Sequence, residues 1–308
     1  MATNNFKAFG IGTGANVTSQ TDYEALAALL TGFQSGKASS AQINKALRQS
    51  STMAYVLAQF ISDSASVDVL DNGAPATILA NLKASVTALT PGRLLNVQTF
   101  TTTGSYIPTP GTKKIRVFAL GAGGAGGGCM ATGSSQCASG NGGNGGSYGW
   151  TASINVSSIS SIACVIGSGG VAVSGADGGA GGDTSFGSYI IASGGRGGAV
   201  GNPASSPSAA SANAPSGECV GSAVEISVRG SRGSGKIILG TGNGQGLSGS
   251  GGGSPYGAGG GSVNNGLGAQ PGYGYGAGGG SGVNISNISS TQAGANGSNG
   301  LIIAWEYL

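Results

Sequence analysis

The chain has few side chains that can carry out catalysis or bind metals. It contains no histidine, the commonest general base and metal ligand, and only ten acidic residues among 308. This composition excludes Ser-His-Asp and Cys-His catalysis and histidine-based zinc sites. Carboxylate chemistry has few candidates. We therefore predict no catalytic residue, no bound metal and no cofactor, and we expect that the protein is not an enzyme.

Two glycine-rich segments match phosphate-binding motifs only in part. Residues 121–126 (GAGGAG) fit G-x-G-x-x-G, but more glycine follows where a helix should begin. Residues 230–236 (GSRGSGK) fit most of a P-loop, yet Ile237 stands where a Ser or Thr would hold magnesium. With 65 glycines in the chain, the first match is expected by chance. We interpret the second as a hairpin turn that carries basic residues.

Asp177 and Asp183 flank a short glycine segment that loosely resembles calcium-binding repeats. The unit does not recur, so we predict that both residues cap turns. The four cysteines, at 129, 137, 164 and 219, match no paired zinc pattern. Two interpretations stay open for Cys129 and Cys137. They form a disulfide if the protein works outside the cell, or they are small buried apolar side chains.

Aromatic residues beside the glycine runs are the best candidates for binding. Rings that project from rigid loops give a large contact area at low entropic cost. Alternatively, the same rings cover glycine segments and fill the core. We favour binding for the loops after Ser250. The predicted receptor-binding residues are Tyr148, Tyr256, Tyr273, Tyr275, Asn264 and Asn265.

Composition narrows the class of protein. Charged residues make up only 7% of the chain and the net charge is +3, so we expect no binding to nucleic acid. The hydrophobic fraction of 39% argues for a folded chain over a solvated linker. The first residues lack the pattern of a signal peptide, and no apolar run approaches the roughly 18 residues of a membrane span. We therefore expect no membrane insertion.

The chain before residue 93 predicts helices. Residues 1–20 should form an extended arm, and residues 21–92 a helical attachment and trimerisation region. Capping boxes at Thr21–Glu24 and Ser39–Gln42 predict helices to about 30 and 62, and a third helix should run from Pro75 to Leu89. The second helix carries heptad positions that favour either a trimeric coiled coil or packing within one chain: Ile43, Leu47, Ala54, Leu57 and Ile61.

Residues 93–308 predict an all-β domain, which makes the whole an α + β multidomain protein. β-branched and alternating segments predict seven main strands, at 95–103, 114–120, 148–154, 161–166, 185–191, 224–229 and 301–307, with a shorter one at 236–239. The connections are long. They form either irregular glycine loops or polyglycine segments of the polyproline-II type. Segment 202–217 has a different composition and is predicted to be a surface loop.

Three stretches of the N-terminal half resemble the proximal part of tail fibre proteins from tailed phages and prophages of enteric bacteria. They are residues 12–17 (GTGANV), 36–50 (GKASSAQINKALRQS) and 69–73 (VLDNG). Residues 100–106 (FTTTGSY), 114–128 and 300–307 (GLIIAWEY) resemble the glycine-rich β domain found at the distal end of such fibres.

The resemblance implies a homotrimeric virion protein. Its N-terminus would dock to a phage tail or baseplate protein, and its C-terminus would contact a bacterial outer-surface receptor. Such a protein is assembled in the host cytoplasm and works outside the cell as part of the virion tail. Two other classes stay open: a structural spacer or adaptor without receptor contact, and a surface-polysaccharide depolymerase, which would need clustered carboxylates that the sequence does not present.

Overall fold

The structure is a computed structural model that describes residues 2–33, 39–90, 92–240, 245–264 and 268–308. The chain divides into two compact units, Met1–Arg93 and Leu94–Leu308. The first unit is helical. The second is built from β sheets and from the glycine-rich segments between them. Most of the regular structure is β sheet, and the helices are few.

The described part of the first unit contains four helices, α1 Gln20–Glu24, α2 Ala28–Thr31, α3 Ser40–Ala65 and α4 Pro75–Ala88. The predicted first helix is therefore two short ones. Ser19 caps α1 in place of Thr21, because its Oγ accepts from the backbone N–H of Asp22 at 3.2 Å. Ser39 precedes α3 as predicted but makes no side-chain capping bond. None of the described helices is long and apolar enough to cross a membrane.

A small core holds the first unit together. Ala58 and Ile61 of α3 pack with Val69, and Phe6 of the N-terminal arm covers them. The arm pairs with the chain after α3, where the N–H of Asn5 donates to the carbonyl of Val69 at 3.0 Å. Only one stripe of α3 is buried by this packing. Most of its other large apolar side chains, which include Leu47, Met53 and Phe60, are exposed, and the remaining apolar side chains are half-buried.

In its described residues, the second unit has fifteen strands in four sheets. They are β1 Leu94–Phe100, β2 Gly104–Tyr106, β3 Lys114–Leu120, β4 Cys137–Ser139, β5 Tyr148–Thr151, β6 Ile154–Asn155, β7 Ile162–Val165, β8 Thr184–Phe186, β9 Ile190–Ala192, β10 Ser208–Ala209, β11 Val224–Val228, β12 Ile237–Gly240, β13 Gln245–Leu247, β14 Val283–Ile285 and β15 Leu301–Tyr307. The main sheet has the order β1-β15-β3-β5-β11, and β6 also pairs with β3. The order β2-β7-β8-β9 makes a second sheet.

One face of the main sheet packs on a hydrophobic core. Ile115, Val117 and Ala119 of β3 alternate toward a core that also contains Phe186 of β8 and Ile190 of β9. The chain enters this sheet at Leu94, which pairs with Tyr307. The opposite end of the sheet, where β3 finishes at Leu120, is where the first glycine segment begins.

The segment 121–129, which we call the central rod, is a helix of the polyproline-II type. Its backbone N–H groups donate in turn to three antiparallel neighbours, and the turn repeats every three residues. Three residues per turn is the geometry of that helix. The acceptors are the carbonyls of Ser147, Asn144 and Asn141 in one neighbour, of Gly182, Gly179 and Ala176 in the second, and of Ser298, Ala295 and Gln292 in the third.

The same pattern continues into other rods. The N–H groups of residues 140–147 donate in rotation to carbonyls in segments 193–199, 231–234 and 276–282. The sequence left open whether these connections are irregular glycine loops or segments of the polyproline-II type. The hydrogen bonds show that they are packed rods of the second type. Glycine is required because the rods touch through their backbones. A Cβ on Gly124 would lie 2.2 Å from the carbonyl oxygen of Arg196.

Segment 202–217 is held against the rods and is not a free loop. The side-chain amide of Asn144 donates to the carbonyl of Ala214 at 2.7 Å, and that of Asn213 donates to the carbonyl of Gly142 at 2.7 Å. Ser216 donates from its Oγ to the carbonyl of Gly145 at 2.9 Å. β10 of this segment also pairs with β12. The insert therefore forms part of the rod packing through polar side chains.

Candidate functional site

The main sheet carries an aromatic cluster on the side opposite its buried core. At its centre is Phe118 of β3, which is fully buried and pairs with Trp150 of β5 and Ile303 of β15. Its ring centroid lies 4.9 Å from that of Trp150 and 6.2 Å from that of Tyr148. We call this surface the aromatic face. Its partly exposed members are Tyr148, Trp150, Tyr256, Tyr275 and Trp305.

Two turns between rods place tyrosines over this face. Tyr256 lies in the turn where the N–H of Ser254 donates to the carbonyl of Gly257 at 2.9 Å, and its ring centroid is 5.4 Å from that of Phe118. The N–H of Tyr275 donates to the carbonyl of Tyr256 at 3.0 Å, and the hydroxyl of Ser254 also donates to the carbonyl of Tyr275. The two turns therefore hold each other in place.

The predicted receptor-binding residues differ in exposure and position. Tyr256 is 46% exposed and Tyr273 is 57% exposed, whereas Tyr148 and Tyr275 are half-buried. The structure brings Tyr148, Tyr256 and Tyr275 together on the aromatic face. The neighbouring Tyr273 is tied to the same pair of turns through its N–H, which donates to the carbonyl of Ala258 at 2.9 Å.

Asn264 lies elsewhere. It is exposed and follows Val263 at the far end of the rod 257–263, which starts beside Tyr256. Seven residues of a polyproline-II-type helix span about 22 Å at 3.1 Å per residue. Asn264 and the tyrosines therefore cannot belong to one small site. Asn265 lies outside the described residues.

The predicted trimerisation residues of α3 also divide into two groups. Ile61 is fully buried in the core of the first unit, where it packs against Val69. Ile43, Leu47 and Leu57 are 39%, 48% and 47% exposed, and Ala54 is half-buried. Of the predicted heptad positions, Ile61 therefore packs inside its own chain. The other positions are wholly or partly exposed on the helix surface.

The segments that resemble phosphate sites are rods. Residues 121–126 are buried, and each N–H already donates to a neighbouring carbonyl. In residues 230–236, the N–H groups of Gly233 and Lys236 donate to the Oδ1 atoms of Asn144 and Asn141, so they are not free to bind phosphate. The second segment is accordingly a rod and not the hairpin turn that the sequence predicts.

All four cysteines are buried free thiols, so Cys129 and Cys137 are not joined in a disulfide. Burial raises the pKa of the Cys129 thiol to about 12 and that of the Cys164 thiol to about 11. Thiols with such pKa values are poor nucleophiles at neutral pH. Within the described part of the chain, no group of three or more Cys, Asp or Glu residues is placed to hold a metal ion.

Comparison with protein families gives one match that bears on this arrangement. The model of the glycine-rich domain matches residues 99–305, which include most of the main sheet and the rods described above. The chain belongs to this glycine-rich domain family. The comparison with curated proteins gives no match.

Asparagines that lock the glycine-rich domain together were not predicted from the sequence. Asn141 and Asn144 are buried, and their side chains both donate and accept hydrogen bonds between rods. A signal for them exists in the local triplet of residues 141–147 (NGGNGGS), where the larger side chain recurs every third position. Residues 177–183 (DGGAGGD) repeat that spacing with Asp177 and Asp183 at the ends.

Proposed function

We propose that this protein is a phage tail fibre. Its N-terminal helical region attaches to a tail or baseplate protein, and its glycine-rich domain recognises a receptor on the host cell surface, either an outer-membrane protein or a glycan. The resemblance to tail fibres supports the proposal, because it includes stretches between residues 12 and 73 and stretches of the glycine-rich domain between residues 100 and 307. The protein would be made in the host cytoplasm and would act outside the cell on the virion tail.

The observation that carries the recognition part is the exposure of tyrosines on a rigid support. Tyr256 and Tyr273 expose about half of their surface although they belong to short turns fixed by backbone hydrogen bonds. Exposed aromatic rings on a rigid backbone are favourable anchors in protein recognition, because little conformational entropy is lost on binding. A structural spacer has no need of such rings.

The proposal includes a homotrimer formed through α3. Ile43, Leu47 and Leu57 are exposed apolar residues along one helix, and such a stripe is costly to leave in water. Partner copies would cover these side chains. Ala54 lies between them on the same stripe and would allow the helices to approach closely.

Binding of the labelled full-length protein to host cells tests recognition. We expect saturable binding, and we expect the triple substitution Tyr256→Ala, Tyr273→Ala, Tyr275→Ala to lower the affinity by tenfold or more, as loss of interface anchors of about 2 kcal/mol does. Tyr307→Ala is a matched control, because Tyr307 is half-buried at the other end of the main sheet.

Circular dichroism of the variants separates loss of binding from loss of fold. If the folded triple variant bound cells as well as the wild type, the tyrosines would not be the anchors. If the wild type itself did not bind cells, the alternative of a structural tail spacer would be favoured over a receptor-binding fibre.

A further inference from the structure

A shallow groove of about 360 Å³ lies on the outer surface of the rods and shares no residue with the aromatic face. Its size is at the lower end of the range for small-ligand pockets, about 300–1,000 Å³. Rod backbone forms its floor, and the insert 202–217 forms one wall. Residues that line it include Asp177, Ala180, Arg196, Gly197, Ala199 and Asn213.

Two antiparallel rods form the floor, and their side chains pair with backbone at regular steps. The N–H of Gly194 donates to Oδ1 of Asp183 at 2.8 Å. Six residues further along, the N–H of Val200 donates to Oδ1 of Asp177, also at 2.8 Å. With three residues per turn, these two pairs occupy equivalent positions, and one more equivalent position lies between them.

Ala180 and Gly197 occupy that middle position. Ala180 has no carboxylate that could accept a hydrogen bond. The N–H of Gly197 therefore donates to no group in the part of the chain that the structure describes. Gly197 is partly exposed toward the groove. The carbonyl of Arg196, which shares a peptide group with this N–H, accepts from the N–H of Asn144 at 2.8 Å, so the direction of the donor is set. The groove therefore presents a fixed donor that lacks an acceptor.

The charged side chains that line the groove indicate which class of ligand could accept a hydrogen bond from the N–H of Gly197. Asp177 brings a carboxylate, whose oxygens accept hydrogen bonds, and exposed Arg196 brings a guanidinium, which donates them. A carboxylate or phosphate ligand would be repelled by Asp177, and a cation by Arg196. Neighbouring hydroxyl groups both donate and accept. A neutral sugar carries pairs of neighbouring hydroxyl groups, and its size fits the groove.

We infer that this groove is a subsite for a neutral hexose unit. One hydroxyl of the sugar accepts from the N–H of Gly197 and from the guanidinium of Arg196, and a neighbouring hydroxyl donates to the carboxylate of Asp177. The small side chains of Ala180 and Ala199 leave room for the ring. The inference rests on the proposed function only for the source of the sugar, a glycan of the host surface.

Nuclear magnetic resonance of the ¹⁵N-labelled full-length protein tests the subsite without cells. Glucose, galactose, mannose and N-acetylglucosamine are titrated separately. We expect at least one of them to shift the amide resonance of Gly197 in a saturable manner. The absence of any such shift, or a shift caused by inorganic phosphate and by none of the sugars, would overturn the assignment.

The substitution Ala180→Asp is the sharpest variant. It places a third carboxylate where Asp177 and Asp183 already accept from backbone N–H groups, so it should bond to Gly197 and abolish the sugar-induced shift. Ala152→Asp makes the same change at an exposed position outside the groove and should leave the shift intact. Arg196→Gln should weaken sugar binding by about tenfold. If Ala180→Asp bound sugar like the wild type, the subsite would be wrong.

The two proposals fail in different ways. If Gly197 responds to sugar but the protein does not bind host cells, the subsite stands and the tail-fibre function falls. If the protein binds cells equally well with and without Ala180→Asp, and the wild type shows no response to sugar, the subsite falls and recognition through another surface stands.

Discussion

Single glycines decide whether the rods pack. At Gly124 the position of a Cβ is occupied by the backbone of the neighbouring rod, whereas at Gly261 nothing lies within 4 Å. Backbone cannot move aside as a flexible side chain can, because each rod is bonded to several others. The different importance of Gly124 and Gly261 therefore comes from the backbone that lies beside each of them.

Gly124→Ala should lower the free energy of unfolding by at least about 2 kcal/mol, because it forces two rods apart. Gly261→Ala should have little effect or stabilise slightly, since it only restricts the unfolded chain. Thermal unfolding followed by circular dichroism measures both. Equal melting temperatures for the two variants would contradict the packing of the rods described above.

One buried carboxylate joins the main sheet to the loop before β3. Glu306 is fully buried and accepts from the hydroxyl of Tyr106 at 2.7 Å, from the hydroxyl of Thr109 at 2.6 Å and from the side-chain amide of Gln98 at 3.1 Å. Burial acts to raise the pKa of Glu306, but these donors outweigh it and hold the pKa below the ordinary value of 4.5. Burial, and after it the hydrogen bond to Glu306, raises the pKa of Tyr106.

This carboxylate should make stability depend on acid pH. Because the pKa of Glu306 is lower in the folded chain than in the unfolded chain, its contribution is fully present above pH 4.5 and is lost as the pH falls through the folded value. Glu306→Gln should cost about 1–3 kcal/mol at neutral pH. Denaturant unfolding of both proteins across this range should show the difference narrowing toward low pH. A difference that stayed constant would argue against an ionised Glu306.

At the scale of elements, the sequence predicts strands better than it predicts rods. β3 and β15 were expected at 114–120 and 301–307 and are found there, because β-branched and aromatic residues identify them. The rods lack any such signal, since glycine carries no side chain whose pattern could show which neighbour it faces. The three-residue spacing of Asn141 and Asn144, repeated by Asp177 and Asp183, marks a rod surface in the sequence.

The candidate site could be predicted only in part, because a glycine sequence does not show which rods are neighbours. The turns that carry Tyr256 and Tyr273 could be identified from flanking glycine, but their position on the main sheet depends on rods that run from distant parts of the chain. The groove beside Gly197 depends on three such segments. Ser19, which caps α1, was missed because Thr21 and Glu24 offer a competing pattern nearby.

The exposed stripe of α3 gives a prediction at the same scale. If α3 assembles the trimer, Leu47→Glu combined with Leu57→Glu should convert it to monomer, because the interface would have to bury two carboxylates. Gln49→Glu is the control, since Gln49 is exposed and lies outside the predicted heptad positions. Light scattering after gel filtration gives the mass. A wild-type protein that is already a monomer would contradict assembly through this helix.

At the scale of the whole molecule, the glycine-rich domain combines rigidity with very few charges. Its core includes both side chains packed in sheets and backbone packed in rods, so the turns between rods are anchored at both ends. Surfaces on such a support can vary without loss of the fold, because the rods do not depend on the residues in the turns. This division suits a protein whose task is contact with other surfaces.

Competition for adsorption tests the central proposal most directly. The purified full-length protein is added to host cells before the phage, or induced prophage, to which the proposal assigns it, and free phage is counted over time. The account predicts that the protein slows adsorption in a dose-dependent manner and that the triple tyrosine variant does so far less. Adsorption at an unchanged rate, at concentrations that saturate the cells with folded protein, would contradict a receptor-binding function.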